Sequence, residues 1–173
     1  WALGIITSTR GAGHLGGSPL TETQNMSAEV GKRIFKNPEA GIPGSYHGKG
    51  KLVASTEIKK AIVDSLGLCW FMYNWSNLTI GSSDELAEMF CLATGIEITE
   101  EQLHQKGART HALERYLSYR LSGFTREDDT LSDRFFDTPV SDGPFKGAHL
   151  DRSELQAALD EYFEALGWDN VIG

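Results

Sequence analysis

The chain has 173 residues, a formal net charge of −8 and 40% hydrophobic residues, enough for one domain with a buried core. No apolar run approaches the ~20 residues that cross a bilayer, so the sequence excludes a membrane-spanning protein. The acidic balance argues against non-specific binding to nucleic acid or anionic lipid, and two cysteines without a signal-peptide pattern argue against a disulfide-stapled secreted protein.

The first six residues form an apolar run that is typical of the middle of a buried element. Because the chain opens there at Trp1 rather than Met, we expect a fragment of a larger protein. Residues 11–16 match the glycine pattern of dinucleotide-binding loops, but Gly17 and Pro19 would break the helix that such a loop requires. A nucleotide-binding βαβ fold is therefore not expected.

Residues 28–35 are predicted to form a short helix with Ser27 as its N-cap, followed by a loop over residues 37–48. Residues 48–51 lack the spacer and hydroxyl residue of a phosphate loop, so they are interpreted as a flexible start to the next helix. That helix should begin near Lys51.

The helix from Lys51 is predicted from apolar residues at helical spacing, with Gly67 as a left-handed residue at its end. These apolar positions are Ile58, Ile62, Leu66 and Cys69.

Three later helix starts are predicted from capping boxes that begin at Ser82, Thr99 and Asp151. Their apolar positions are Leu86, Met89, Phe90 and Ala93 for the first helix, Leu103, Leu113, Leu117 and Leu121 for the second, and Leu155, Leu159, Tyr162, Phe163 and Leu166 for the third. Residues 124–150 are predicted to form a surface loop with one helical turn around residues 131–136. The fold class is therefore mainly α, an irregular single domain over residues 1–173 with about five or six helices.

The histidines and one cysteine give no metal site by spacing. His104 and His111 are seven residues apart, roughly 10 Å along a helix, so they cannot chelate one ion together and are interpreted as polar-face or partly buried residues. His47 and His149 have no companion ligands, and Cys91 is interpreted as a small buried hydrophobe.

Cys69 is open to two interpretations. It follows Asp64 and the Gly67 turn at a helix end, where a carboxylate, backbone groups and a thiolate can face one point. Alternatively, it is a buried cysteine after a glycine-capped helix, since free cysteine is among the most buried residue types.

Residues 64–69, DSLGLC, resemble the D-x-x-G-L-C motif of the tungsten-dependent aldehyde ferredoxin oxidoreductases. Residues 7–15, 123–131 and 155–168 also resemble the C-terminal region of that family, in the same order. The resemblance thus covers nearly the whole chain and identifies it as the C-terminal part of a larger multidomain enzyme.

The resemblance implies an enzyme with a tungsten bis-pterin, molybdenum being an alternative, and one 4Fe–4S cluster. Such an enzyme oxidises aldehydes to carboxylic acids in an anaerobic cytoplasm, with ferredoxin as electron acceptor. The resemblance is also compatible with a homodimer. Cys69 is then the fourth cluster ligand, the other three coming from an earlier domain of the same chain. Asp64, Gly67 and Leu68 are implied to contact one pterin.

Two residues of the first loop complete the implied site. His14 matches a histidine close to the metal in the family and is the candidate for proton transfer, the alternative being a histidine that caps a glycine-rich loop. Arg10 is the candidate for pterin or phosphate contact, or for an ion pair with a neighbouring domain.

Two further functions are kept open. One is an aromatic-CoA reductase subunit of the same family, which the long loop between His14 and Asp64 allows because it can reshape substrate access. The other is a helical interaction module without a cofactor. On the leading hypothesis these 173 residues alone are inactive, because three cluster ligands are missing.

Overall fold

The computed structural model describes residues 1–71 and 83–169. Their helices are α1 (Ala2–Ile6), α2 (His14–Gly17), α3 (Ala28–Phe35), α4 (Lys49–Ser65), α5 (Ser83–Thr94), α6 (Glu100–Ser122), α7 (Arg134–Asp137) and α8 (Arg152–Leu166), with a 3₁₀ turn at Arg126–Asp128. The described residues contain no strand, so the mainly α prediction is confirmed. No helix among them is long and apolar enough to cross a membrane.

Helix α4 is the centre of the fold. It packs against α6 and α8, and α1 and α2 also contact it. One core joins α1, α4 and α8 around Val53, Leu159 and Phe163, and a second joins α4, α5 and α6 around Ile62 and Leu86. Helix α4 is buried along most of its length, so several of its charged side chains lie away from solvent. These buried charged groups need hydrogen-bond or ion-pair partners within the fold.

Most predicted helix ends are confirmed. The Ser27 hydroxyl accepts from the backbone N–H of Val30, and Thr99 and Gln102 form a reciprocal capping box. Helix α4 begins at Lys49, two residues before the predicted Lys51, with Gly48 in a left-handed conformation as its N-cap. The capping box predicted at Ser82 lies outside the described residues.

The predicted box at Asp151 is only half formed. The Asp151 carboxylate accepts from the N–H groups of Ser153 and Glu154. The backbone N–H of Asp151 instead donates to the hydroxyl of Tyr46, at 2.9 Å. The N-terminus of α8 is therefore tied to the loop before α4 rather than closed on itself.

The predicted apolar faces of α5 and α6 are partly wrong. In α5, Leu86 and its neighbour Ala87 are buried, whereas Met89 is 52% exposed and Ala93 is also exposed. In α6 only Leu103 of the predicted leucines is buried. The exposed leucines are Leu113, Leu117 and Leu121.

The error in α6 depends on which side of the helix meets the rest of the fold. At about 100° per residue, Leu113 lies roughly 80° from Leu103 on one side and His111 roughly 80° from it on the other. It is the side of His111 that meets Glu57 of α4 and Tyr162 of α8. The buried face of α6 instead follows Leu103 at intervals of four residues, through Gly107, His111 and Arg115. The buried face of α6 is therefore lined by one leucine, a glycine and two polar residues rather than by the four predicted leucines.

The crossing of α4 and α8 depends on Gly50. A Cβ at this position would lie 2.5 Å from the carbonyl oxygen of Ala158 and 2.6 Å from the backbone nitrogen of Tyr162. Both atoms belong to the backbone of α8 and cannot move away without shifting that helix. The absence of a side chain at Gly50 thus sets the distance between the two helices.

Gly50→Ala is expected to lower the free energy of unfolding by about 1–3 kcal/mol through overpacking, although alanine is normally the better helix former. Ser55→Ala, an exposed change in the same helix, is the control and should stay within about 0.5 kcal/mol of wild type. Urea denaturation followed by circular dichroism measures both. Equal stability of the two variants would show that the crossing has room for a methyl group.

Candidate functional site

The C-terminal end of α4 presents the residues that sequence reasoning assigned to a cofactor. The N–H of Gly67 donates to the carbonyl of Asp64, and the N–H of Leu68 donates to the carbonyl of Val63, both at 3.0 Å. These two bonds define a Schellman motif, and Gly67 has the positive φ of 69° that it requires. The side chain of Leu68 packs on the same core as Val63, which fixes the direction in which the chain leaves the helix.

Asp64 precedes this turn and Cys69 follows it in the chain, and both residues are exposed. The Asp64 carboxylate is 48% exposed and forms an ion pair with Lys60, one helical turn earlier. Cys69 is an exposed free thiol, so the alternative interpretation of a buried core cysteine is wrong. The turn thus presents a carboxylate and a thiol at one end of α4.

Cys91 differs from Cys69 in its environment. Its sulfur is half-buried and accepts from the backbone N–H of Ile98 at 3.3 Å, which agrees with a structural role. Within residues 1–71 and 83–169, no group of three or more His, Cys, Asp or Glu side chains is arranged to hold a metal ion. Any cluster bound at Cys69 therefore needs ligands beyond those described.

Arg10 lies in the segment between α1 and α2, His14 lies at the start of α2, and both are exposed. His14 begins α2 and stacks on Trp1, with ring centroids 5.6 Å apart. Arg10 lines a cleft of about 410 Å³ between this segment and α6, with Arg115 and Ser118 on the other wall. The structure therefore leaves both predicted side chains accessible to a ligand.

Helix α4 connects the two groups of predicted residues. The C-terminal residue of α2, Gly17, packs directly against the side chain of Glu57 in α4. Glu57 precedes Asp64 by seven residues, about 10 Å along the helix axis. The segment bearing His14 and the turn bearing Cys69 are thus mounted on the same helix about two turns apart.

Glu57 belongs to a buried polar cluster that sequence reasoning did not identify. One carboxylate oxygen accepts from the hydroxyl of Thr7 at 2.8 Å. The other accepts from the hydroxyl of Tyr162 and lies 3.1 Å from Nε2 of His111. Trp168 covers His111, with ring centroids 5.0 Å apart. The interpretation of His111 as a polar-face or partly buried residue is wrong, because the residue is fully buried, with 2% exposed.

A second buried pair lies beside this cluster. The guanidinium of Arg115 donates two hydrogen bonds to the Asp129 carboxylate, at 2.9 and 2.7 Å. Burial raises the pKa of Asp129, while the hydrogen bonds from Arg115 lower it. Burial, together with the nearby Glu57 charge, raises the pKa of Tyr162 well above its ordinary value, so this phenol stays protonated and donates to Glu57.

A sequence signal for these residues does exist. Glu57 lies four residues after Val53 and four before Ala61, both buried, so the helical period alone puts a carboxylate in the core. A buried carboxylate needs hydrogen-bond partners. The sequence does not show which residues supply them, because Thr7, His111 and Tyr162 come from three distant elements.

Comparison with known proteins assigns the chain to a class. A family model described as aldehyde ferredoxin oxidoreductase, domains 2 and 3, matches residues 1–173. The match assigns this helical fold to the oxidoreductases. More narrowly, the chain belongs to the aldehyde ferredoxin oxidoreductase family.

Curated relatives agree with this assignment. The tungsten-containing aldehyde ferredoxin oxidoreductases of Pyrococcus furiosus and Thermococcus kodakarensis are each 28% identical over 167 residues, which is 96% of this chain. The aliphatic sulfonate oxidoreductase, WOR-like subunit, of Pyrococcus furiosus is 31% identical over 119 residues, 65% of this chain and 18% of that protein. The chain spans 25% of the length of the aldehyde enzymes, about a quarter.

Proposed function

We propose that this chain is the C-terminal part of a tungstopterin and iron–sulfur oxidoreductase that oxidises aldehydes to carboxylic acids and passes the electrons to ferredoxin. The proposal rests on the family and on one structural observation. The Schellman turn of α4 presents the exposed Cys69 thiol and the Asp64 carboxylate at the same helix end. That arrangement suits a cluster ligand placed directly next to a pterin contact.

Cys69 fits the cluster because a 4Fe–4S centre is held by four thiolates, and an exposed, unpaired thiol can be one of them. The other three thiolates would come from an earlier part of a longer chain. In this proposal Cys91 has no cofactor role, since its sulfur is already hydrogen-bonded to Ile98. The chain therefore contributes one cluster ligand, and the protein needs the rest of its own chain as a partner.

The pterin would be held by Asp64, Gly67, Leu68 and Arg10. A carboxylate can accept two hydrogen bonds from the amino and ring N–H groups of a pterin. The Asp64 carboxylate is exposed and would make these bonds in place of its ion pair with Lys60. Gly67 has no Cβ, and the space where a Cβ would lie is open within 4 Å, so a ligand can approach the backbone closely there. Arg10 offers a planar, exposed guanidinium to a phosphate.

His14 is the proposed catalytic residue. Aldehyde and water give a carboxylic acid, two electrons and two protons, and the bound tungsten and cluster supply the oxidising centre and the one-electron path to ferredoxin. His14 would hydrogen-bond the substrate oxygen or the attacking water and accept a proton as the acid forms. His14 is suited to this role because an imidazole can both accept and donate a proton and because its side chain is exposed to a substrate.

The finer elements of the proposal come from the family resemblance: molybdenum as the alternative metal, an anaerobic cytoplasmic location and a homodimer. The sulfonate oxidoreductase among the relatives is the reason to test more than one substrate class. An aromatic thioester is a third substrate class, because the long loop between His14 and Asp64 can reshape substrate access.

Elemental analysis of the anaerobically purified full-length protein tests the proposal. We expect about one tungsten atom and at least about four iron atoms per chain, as one metal pterin centre and one 4Fe–4S cluster require. Aldehyde-dependent reduction of a viologen dye should then exceed both the reduction of the dye with an aliphatic sulfonate and the oxidation of reduced dye with an aromatic thioester. A metal-free protein would contradict the proposal, and metal with only sulfonate or thioester activity would reassign the substrate.

A further inference from the structure

Glu57 touches both ends of the segment that carries Arg10 and His14. Thr7, the residue after α1, donates its hydroxyl hydrogen to Oε1 of Glu57 at 2.8 Å. Gly17, the last residue of α2, lies so close to the same carboxylate that a Cβ there would overlap it. Residues 8–16, a loop that runs into the start of α2 and is called the His14 loop below, are therefore fixed at both ends by one side chain.

The second carboxylate oxygen holds Glu57 in this position. It accepts from the Tyr162 hydroxyl of α8 and lies 3.1 Å from Nε2 of His111 of α6. Glu57 is 3% exposed, so these bonds form away from water and orient the carboxylate strongly. Through Glu57, the loop is thus held in a fixed position relative to α4, α6 and α8.

We propose that Glu57 is a positioning residue that fixes the His14 loop relative to the C-terminal end of α4, where Asp64 and Cys69 lie. This inference rests on the proposed function, because it assumes that His14 and the α4 turn act on the same reaction. Glu57 acts through the loop and does not itself touch the substrate or a cofactor. A displacement of the loop by about 1 Å would misplace His14 enough to slow proton transfer severely.

Hydrogen exchange of the full-length holoenzyme, followed by mass spectrometry, tests the inference without relying on activity. Glu57→Ala is expected to accelerate exchange in residues 8–17 by about tenfold or more, because both anchors of the loop are lost. Helix α3 packs on a different core cluster, around Met26, Ala40 and Leu52, so its exchange rate should be unchanged. Glu57→Gln, which keeps an acceptor for Thr7 and the volume next to Gly17, should stay within about threefold of wild type.

Tyr162→Phe is the matched control. It removes a hydrogen bond from the same buried carboxylate but leaves Thr7 and Gly17 in contact with Glu57. Loop exchange in this variant should change by less than about threefold, because His111 still lies 3.1 Å from the oxygen that Tyr162 releases and keeps the carboxylate oriented. If Glu57→Ala leaves loop exchange at the wild-type rate, or accelerates α3 equally, the inference is overturned. If Glu57→Ala does not fold, Thr7→Val, which removes only the loop-side bond, must accelerate the loop, and no acceleration would also overturn it.

Kinetics separate this inference from the function on which it depends. Glu57→Ala should lower kcat by about tenfold or more while tungsten and iron content are retained, and Glu57→Gln should keep most of the wild-type kcat. The double variant Glu57→Ala with His14→Ala should be no slower than His14→Ala alone, because both changes affect the same step. Full activity in His14→Ala would contradict the proposed role of His14. An inactive His14→Ala together with a fully active Glu57→Ala would contradict only the positioning role.

Discussion

Replacement of Cys69 by alanine in the full-length protein is expected to destroy the 4Fe–4S cluster. Iron should fall from about four atoms per chain to about three or fewer, because one iron loses its only protein ligand. The electron paramagnetic resonance signal of the reduced cluster should disappear as well. Plasma mass spectrometry and the resonance spectrum measure the two effects independently.

Cys91→Ala is the internal control, since it removes the other cysteine of the chain but not an exposed thiol. Its iron content should equal that of wild type, with a small loss of stability from the hydrogen bond to Ile98. Unchanged iron in Cys69→Ala, or an equal loss of iron in both variants, would remove the structural basis of the proposed cluster site.

Arg115→Met is expected to have the largest effect on stability. The substitution keeps an apolar stem of similar length but leaves Asp129, 2% exposed, without its bidentate partner. Breaking a buried ion pair at one partner costs about 3–5 kcal/mol. Denaturant unfolding at neutral pH measures this loss.

The pH dependence of that loss identifies its cause. In wild type, burial already raises the pKa of Asp129, and Arg115 opposes this shift. Without Arg115 the native pKa rises further, so the native state of the variant takes up a proton at a higher pH than the unfolded chain does. Its stability therefore falls as pH rises from the unfolded carboxyl pKa, near 4, through the raised native pKa. Relative to wild type, the defect should shrink on acidification.

The double variant Arg115→Met with Asp129→Leu provides the matched comparison. Since it removes both charges, it should recover much of the stability, because a buried pair replaced by apolar residues is often near neutral. A pH-independent defect in Arg115→Met, or a double variant less stable than the single one, would show that packing of Arg115 on Phe124 and Phe163 dominates.

Helix ends were predictable because they depend on local chemistry. Ser27 and Thr99 cap the helices that follow them, and Gly67, Gly95 and Gly123 take the left-handed conformation at helix ends. Each of these features needs only a few adjacent residues. The position of Cys69 directly after a left-handed turn was predicted for the same reason, and the structure shows that its thiol is exposed.

The faces of the helices were less predictable, because they depend on what packs against them. Leu117 of α6 reaches the surface while His111 and Arg115 of the same helix are buried. Apolar periodicity treats a histidine or arginine as an outward position. These two residues are nevertheless buried because Glu57 and Asp129 meet them from other elements.

The sequence by itself determined the family, the helical class and the residues at the end of α4, because a motif and a glycine turn are local in the chain. Only the tertiary structure decided that Glu57 joins Thr7, Gly17, His111 and Tyr162. These residues span more than a hundred positions of the sequence. Their association follows from the burial of α4, since a carboxylate in the core is stable only where several distant elements supply hydrogen bonds to it.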